Sequence, residues 1–277
     1  MEVGLALPQF DYSAPGESPL RWETVVAWAT RAEELGFDHV WLADHLFLEV
    51  EKHGGPAGRF DGFDPLVALA ALARATSRVR LGTLVICSQL RPPAVLAKGL
   101  ATLDRLAGGR LIVGVGAGWY EPEYVAAGIA FGSPGQRVTQ LATTIATLKD
   151  MWSGAPDAPS CRPGPMTPEG PPVWIGGRGE RVMELAARRA EGFNYGGWKA
   201  ETRRPLDEFL RACERVGRDP ATVVRSVNHA VGDPDALPDE LRAFDEQGVA
   251  AVVVGLGQVP FSVTTFGALE RVASALP

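Results

Sequence analysis

The chain of 277 residues has a net charge of -6 and contains no cluster of lysine and arginine, which excludes the usual surface of a nucleic-acid-binding protein. Its longest apolar runs, such as residues 249–254, have the length of a strand and are too short to span a bilayer, so we expect no membrane segment. The three cysteines (Cys87, Cys161 and Cys213) are widely spaced and the N-terminus lacks the pattern of a signal peptide, which together predict a cytoplasmic protein.

In chain order, eight short runs rich in β-branched residues predict strands. They cover residues 3–7, 38–43, 79–86, 111–115, 173–175, 192–195, 223–229 and 249–255. Most of these runs are continuously apolar rather than alternating, which is typical of strands covered on both faces in a parallel sheet.

Helical segments separate the strands, with apolar residues three and four positions apart. They cover residues 22–32, 65–75, 96–106, 138–152, 180–190, 206–216, 241–244 and 266–276. For the first helix we expect Ser18 as the N-cap and Pro19 as the first helical residue.

The strict alternation of eight strands and eight helices predicts an α/β protein with a parallel sheet. Eight units at this length favour a closed (β/α)8 TIM barrel, a single domain over residues 1–277, because no linker divides the chain. Two long loops, 46–62 and 153–172, are predicted as insertions that shape the C-terminal face of the barrel.

In such a barrel the active site lies at the C-terminal ends of the strands. Polar residues and glycines follow the predicted strands and should converge on one mouth: Gln9, Asp44, His45, Cys87, Ser88, Gln89, residues 116–119, Glu121, Gly176, Gly177, Arg178, Asn194, Asn228 and His229. The pattern therefore predicts one composite site rather than a local motif.

His45 is the main catalytic candidate, because an imidazole at the end of a rigid strand can donate a hydrogen bond or a proton near neutral pH. The alternative is a loop histidine hydrogen bonded to Asp44, which could itself orient His45 or act as a cap. His229 is a second candidate for lining the mouth. Glu121 and Glu123 are interpreted as carboxylates in the first turn of a helix.

Two glycine segments could bind a cofactor. GVGAGW (residues 114–119) lacks the G-x-G-x-x-G spacing, so its glycines either let a flat ligand approach the backbone or simply permit barrel packing. Gly176 and Gly177 precede a helix whose free N–H groups suit a phosphate, and Arg178 could add charge. No zinc-type spacing, nucleophile elbow or P-loop occurs, and we predict no metal site.

Three stretches together resemble the luciferase-like superfamily, over roughly residues 1–230. They are GFDHVWLADH, ATSRVRLGTLVICSQLRPPAVLAKGLATLDRLAGGRLIVGVGAGWYEPEYVAAGI and PVWIGGRGERVMELAARRAEGFNYGG. Within that superfamily the chain is most similar to the actinobacterial deazaflavin-dependent oxidoreductases. The resemblance implies the same barrel that the alternation predicts.

The resemblance also implies roles for individual residues. His45 would lie near the reactive ring of the cofactor, and a strand bulge with a non-prolyl cis peptide at Leu84–Val85 would lie behind that ring. Cys87 and Ser88 would face the ring or the ribityl chain. Gly116, Ala117, Gly118, Gly176 and Gly177 would hold the phosphate region, and Asp44, Trp119 and Arg178 complete the predicted cofactor site.

Sugar-phosphate dehydrogenases of the superfamily have a catalytic glutamate directly after the fourth-strand glycines, where this chain has Trp119, which argues against that reaction. Trp119, Trp198 and residues after Ser153 are expected to wall the substrate pocket. Arg178 and Lys199 would suit the oligoglutamate tail of a deazaflavin.

The primary hypothesis is hydride transfer between the deazaflavin coenzyme F420 and a small, fairly apolar organic substrate, with His45 as proton donor or polariser. An FMN-dependent monooxygenase and a cofactor-binding protein with little turnover are the alternatives. Because relatives are often dimers through the outer helices, we also expect a homodimer.

Overall fold

The computed structural model describes residues 1–14, 16–53, 55–195, 203–256 and 263–274. The strands in chain order are β1 (Glu2–Ala6), β2 (His39–Leu42), β3 (Phe47–Leu48), β4 (Phe60–Asp61), β5 (Arg80–Thr83), β6 (Ile86–Cys87), β7 (Leu111–Gly116), β8 (Val173–Gly176), β9 (Gly192–Asn194), β10 (Val224–Ala230) and β11 (Ala251–Gly255). The helices are α1 (Trp22–Glu34), α2 (Pro65–Ala75), α3 (Pro93–Leu106), α4 (Glu121–Ala126), α5 (Pro134–Ser153), α6 (Glu180–Arg189), α7 (Arg203–Val216), α8 (Leu237–Glu246) and α9 (Val263–Ala273).

Eight of these strands form a closed parallel barrel. β1 pairs with β2, β2 with β5, β5 with β7, and the pairing continues through β8, β9, β10 and β11 back to β1. All eight predicted strands are present, and the predicted (β/α)8 barrel is confirmed.

The third barrel strand is interrupted between β5 and β6. Its register with β7 changes by one residue, since Leu81 lies opposite Leu111 whereas Ile86 lies opposite Val115. The Leu84–Val85 peptide within this bulge is cis, at the position that the luciferase-like resemblance implies.

Large aromatic residues fill the interior of the barrel. The rings of Trp41 and Trp174 lie 5.3 Å apart, and Trp41 donates its indole N–H to Nδ1 of buried His39 at 2.6 Å. Glycine makes room for both rings, because a Cβ at Gly82 or Gly192 would lie 2.1 or 2.5 Å from them. Burial lowers the pKa of His39 to about 3, which keeps this central imidazole neutral.

All eight predicted helices are present, and five of them begin three or four residues before the predicted range. α1 begins at Trp22 rather than Pro19, because the backbone of Arg21 is extended, with φ -77° and ψ 139°, and Arg21 is the N-cap. α5 begins earlier than its apolar stripe indicates, because Ser133 and Gln136 form a capping box. The short helix α4 is an additional element that the apolar pattern did not predict.

The two long loops lie at opposite ends of the barrel. Loop 46–62 follows β2 and holds the β3–β4 hairpin, so it lies at the C-terminal mouth as predicted. Segment 153–172 joins a helix to a strand, and such connections lie at the N-terminal end of a barrel. It packs on α3, where Asp104 accepts the Met166 N–H at 2.8 Å and Arg105 donates to the Pro165 carbonyl at 3.3 Å. The expectation that this segment walls the substrate pocket is therefore wrong.

Within the described parts of the chain, no helix is both long and apolar enough to cross a membrane.

Candidate active site at the barrel mouth

The predicted site residues lie at the C-terminal ends of neighbouring strands. In the parallel ladders Cys87 is opposite Gly116, and Gly116 is opposite Gly176. His45 follows β2, and its ring contacts the indole of Trp119 after β7, with 5.6 Å between centroids. The three segments that carry His45, residues 116–119 and Gly176 therefore converge on one mouth.

His45 is paired with a buried carboxylate from α4. Its Nδ1 lies 3.0 Å from Oε1 of Glu123, and Oε2 of Glu123 accepts the backbone N–H of Leu46 at 2.9 Å. The Glu123 side chain is fully buried, whereas 10% of the His45 side chain is exposed. Sequence reasoning placed Glu123 in the first turn of a helix, where it lies, but did not identify it as the partner of His45.

Apolar groups surround the imidazole at the mouth. Tyr120 lies 6.3 Å from His45 between ring centroids, and it also contacts Trp119 at 5.3 Å. Trp119 is 56% exposed and Leu46 is 47% exposed, which is unusual for such large apolar side chains. The accessible surface next to His45 is therefore largely apolar.

Asp44 belongs to a different network from its neighbour His45. Its Oδ2 accepts the Cys87 N–H at 3.0 Å and pairs with Arg91 at 2.6 Å, so Asp44 is not the partner of His45. Burial raises the pKa of Asp44, against the opposing effect of the Arg91 guanidinium. The second guanidinium nitrogen of Arg91 pairs at 2.6 Å with Asp64, which caps α2. Asp44 thus ties the end of β2 to β6 and α2.

Cys87 and Ser88 lie below the surface of the mouth. The thiol of Cys87 donates to the backbone carbonyl of Asp44 at 3.3 Å, and burial raises its pKa. Ser88 is fully buried and accepts a hydrogen bond from Gln89 at 3.0 Å. Their contact with a cofactor stays a prediction.

Val85 explains two of the four glycines in the predicted phosphate region, Gly116 and Gly176. A Cβ at Gly116 or at Gly176 would lie 2.6 Å from a methyl group of Val85. Val85 therefore occupies the space that side chains at these glycines would fill. This favours the alternative that the two glycines permit packing of the barrel. Leu84 and Val85 themselves remain partly exposed, whereas Trp41 and Trp174 of the inner cluster are buried. The bulge thus forms the floor of an opening at the top of the barrel.

The turn between β7 and α4 is held by a second set of contacts. Gly118 has a φ of +72°, and a Cβ there would lie 2.1 Å from the hydroxyl of Tyr124. Tyr124 donates to the Gln89 amide oxygen at 3.0 Å. Ala117 packs partly buried against the main core, so residues 117 and 118 fix the position from which Trp119 projects.

The segment after β8 leads into the N-terminus of α6. Gly177 donates its N–H to the carbonyl of Asn194 at 3.2 Å, so that N–H is not available to a phosphate. The N-cap residue of α6 is Gly179, and no side chain caps this helix. The first N–H groups of α6, rather than that of Gly177, are therefore the available donors, with Arg178 exposed beside them.

His45, Cys87 and Glu123 also form a cluster of possible metal ligands, with the ligand atoms within 4.8 Å of one another. All three side chains have partners without an ion. His45 is hydrogen bonded to Glu123, and the Cys87 thiol donates a hydrogen bond to the backbone carbonyl of Asp44.

Four further candidates either have structural contacts or lie outside the described residues. His229 pairs with Glu240 on α8 at 2.7 Å and packs on Phe244, so it faces the helix layer and does not line the mouth. Gln9 uses its amide to join the ends of β1 and β2 through Ala43. Trp198 and Lys199 lie outside the residues that the structure describes.

The family model for luciferase-like monooxygenases matches residues 1–257, and this chain belongs to that family. An uncharacterised protein of Mycobacterium tuberculosis is 30% identical over 256 residues, 84% of this chain and 87% of that protein. An F420-dependent glucose-6-phosphate dehydrogenase of Kribbella flavida is 29% identical over 270 residues, 91% of this chain and 77% of that protein. The solved structure of an F420-dependent secondary alcohol dehydrogenase in complex with an F420-acetone adduct has a TM-score of 0.80 and 18% identity, covering 100% of this chain and 98% of that one. The luciferase-like resemblance is therefore confirmed.

Proposed function

We propose that this member of the luciferase-like family is an oxidoreductase that transfers a hydride between coenzyme F420 and a small, apolar organic substrate. The observation that carries the proposal is His45, oriented by buried Glu123 at the same mouth as the partly exposed residues Leu84 and Val85. The names of the relatives support the choice of coenzyme, since the Kribbella flavida protein and the alcohol dehydrogenase are both F420-dependent.

The residues at the mouth fit a flat, phosphate-bearing coenzyme. The opening above Leu84 and Val85 adjoins Gly116 and Gly176, which pack against Val85 beside the bulge. The N-terminus of α6 has no side-chain cap and suits a phosphate, and Arg178 suits an acidic tail. We assign the ring to the floor at Leu84–Val85 and the phosphate to the start of α6.

When bound in its reduced form, the deazaflavin supplies a hydride to an electrophilic carbon. The protein supplies orientation and a proton. His45 donates a proton from Nε2 to the oxygen of a carbonyl substrate as that carbon accepts the hydride, which forms an alcohol. In the reverse direction the neutral imidazole accepts the proton of the alcohol at the same nitrogen.

The surface beside His45 favours an apolar substrate. Leu46 and Trp119 present exposed apolar groups there, and Trp119 occupies the position at which sugar-phosphate dehydrogenases of the superfamily have a glutamate. Binding of a phosphorylated sugar would therefore remove water from its phosphate next to apolar side chains, which is unfavourable. We propose small aldehydes, ketones or the corresponding alcohols as the substrate class.

Steady-state turnover tests the proposal. Reduced F420 should be oxidised in the presence of a panel of apolar aldehydes and ketones, and His45→Asn should lower kcat by about 10²–10⁴-fold with little change in coenzyme affinity. His229→Asn is the matched control and should leave kcat unchanged, because His229 faces α8. Oxygen-dependent turnover with reduced FMN and none with F420 would instead support the monooxygenase alternative.

A further inference from the structure

Two histidines in the described part of the chain have a glutamate within hydrogen-bond distance, at opposite nitrogens of the imidazole. At the mouth, Glu123 lies 3.0 Å from Nδ1 of His45. On the outer face of the barrel, Glu240 lies 2.7 Å from Nε2 of His229. Only the first carboxylate is fully buried, since the side chain of Glu240 is 39% exposed.

The bonds to Glu123 determine which nitrogen of His45 carries the proton. An ionised carboxylate only accepts hydrogen bonds, so beside an ionised Glu123 the donor in this pair is Nδ1 of His45. The second oxygen of Glu123 is already used by the Leu46 N–H at 2.9 Å. Among the residues that the structure describes, none hydrogen bonds to Nε2 of His45. Nε2 is therefore the nitrogen left to reach a bound substrate.

We propose that Glu123 is a positioning residue that holds His45 in the tautomer with its proton on Nδ1, which rests on the role of His45 proposed above. In neutral His45, Nε2 then has a free lone pair and accepts a proton from an alcohol. In protonated His45, Nε2 donates that proton to a carbonyl oxygen while Nδ1 stays bonded to Glu123. Burial of the carboxylate excludes water that would otherwise compete for Nδ1.

An amide at position 123 cannot replace both bonds. A glutamine has one acceptor oxygen, whereas His45 Nδ1–H and Leu46 N–H both need an acceptor. If the amide oxygen accepts from Leu46, its NH2 group donates to Nδ1 of His45 and moves the ring proton to Nε2. Glu123→Gln therefore changes the tautomer of His45 with almost no change in side-chain volume.

The tautomer can be read directly by nitrogen-15 NMR of the histidine rings, because the chain has only four histidines. His45→Asn assigns the His45 signals. We expect Nδ1-protonated His45 in the unmodified protein, and a shift toward the Nε2-protonated form in Glu123→Gln together with a fall in kcat of about 10²-fold. Coenzyme affinity should stay within a few-fold, and Glu123→Asp should restore part of kcat.

Glu240→Gln is the matched control, since it changes the pair at His229 and should leave both His45 and kcat unchanged. An Nε2-protonated His45 in the unmodified protein would overturn the proposal, even if Glu123→Gln does not fold. An unchanged tautomer and unchanged kcat in Glu123→Gln would also overturn it. Absence of F420 turnover in the unmodified protein would contradict the proposed function alone, because the tautomer is measured without coenzyme.

Discussion

Gly118 adopts a φ of +72° in the turn between β7 and α4, directly before the exposed Trp119. The position needs glycine for two separate reasons. A side chain is disfavoured at this φ, and a Cβ would also lie 2.1 Å from the Tyr124 hydroxyl and 3.0 Å from the Gln89 amide oxygen. The two effects can be separated, because other glycines of the chain share only the first.

Gly118→Ala should destabilise the protein by about 3 kcal/mol, from the unfavourable φ together with displacement of the Tyr124 ring. Gly128→Ala is the control, because Gly128 has a φ of +70° but a Cβ there would meet no atom within 4 Å, and it should cost only about 1–2 kcal/mol. Chemical denaturation of both variants measures the difference. Equal losses of stability would show that the contact with Tyr124 contributes nothing.

At this scale the sequence predicts residue positions better than contacts. Position at a strand end identifies His45, and a helix start identifies Glu123, but no spacing rule joins residues so far apart. The sequence leaves Gly116 open between close approach of a ligand and barrel packing, and it assigns Gly176 to a phosphate site. In the structure Val85 of the third barrel strand fills the side-chain faces of both glycines. Which side chain projects toward a glycine depends on the bulge in β5–β6, which local sequence does not specify.

Among the elements, β2, β6 and α2 are joined through one partly buried guanidinium, that of Arg91. Arg91 pairs with Asp44 at 2.6 Å and with Asp64 at 2.6 Å, and the Asp44 side chain is 2% exposed. Removal of Arg91 would leave Asp44 with the Cys87 N–H as its remaining partner for Oδ2 among the described residues. An uncompensated buried carboxylate is strongly destabilising, so this network should hold the mouth together.

Arg91→Ala should lower the free energy of unfolding by about 3–5 kcal/mol near neutral pH. Arg21→Ala is the control, because Arg21 forms an exposed pair with Glu17 and should cost less than about 1 kcal/mol.

Burial raises the pKa of Asp44 above its unfolded value, and loss of Arg91 should raise it further. The stability of Arg91→Ala should therefore rise as the pH falls from about 8 to about 5, because protonation removes the buried charge. A deficit that is independent of pH would contradict this explanation.

The long helices are predicted by their apolar period, whereas the apolar period does not reveal the short helix α4. The six residues of α4 hold too few apolar positions to show a period, yet this helix carries Glu123 and Tyr124. The end of the barrel at which segment 153–172 lies could have been inferred from topology, because a connection from a helix to the next strand lies at the N-terminal end of a barrel. Composition alone, with its many prolines, suggested only a loop.

For the whole molecule, alternation of strands and helices was sufficient to predict the closed barrel and the end at which its site lies. The continuous apolar strands match burial on both faces, with aromatic rings such as Trp41 and Trp174 inside and the helices outside. Closure brings His45, the β7 turn and the start of α6 to one mouth. The proposed function depends on that mouth binding one flat, phosphate-bearing coenzyme.

Equilibrium titration of the purified protein with F420 and with FMN, followed by fluorescence, tests this claim most directly. We predict saturable binding of one F420 per chain and much weaker binding of FMN. Tighter binding of FMN than of F420, or no binding of either compound, would contradict it.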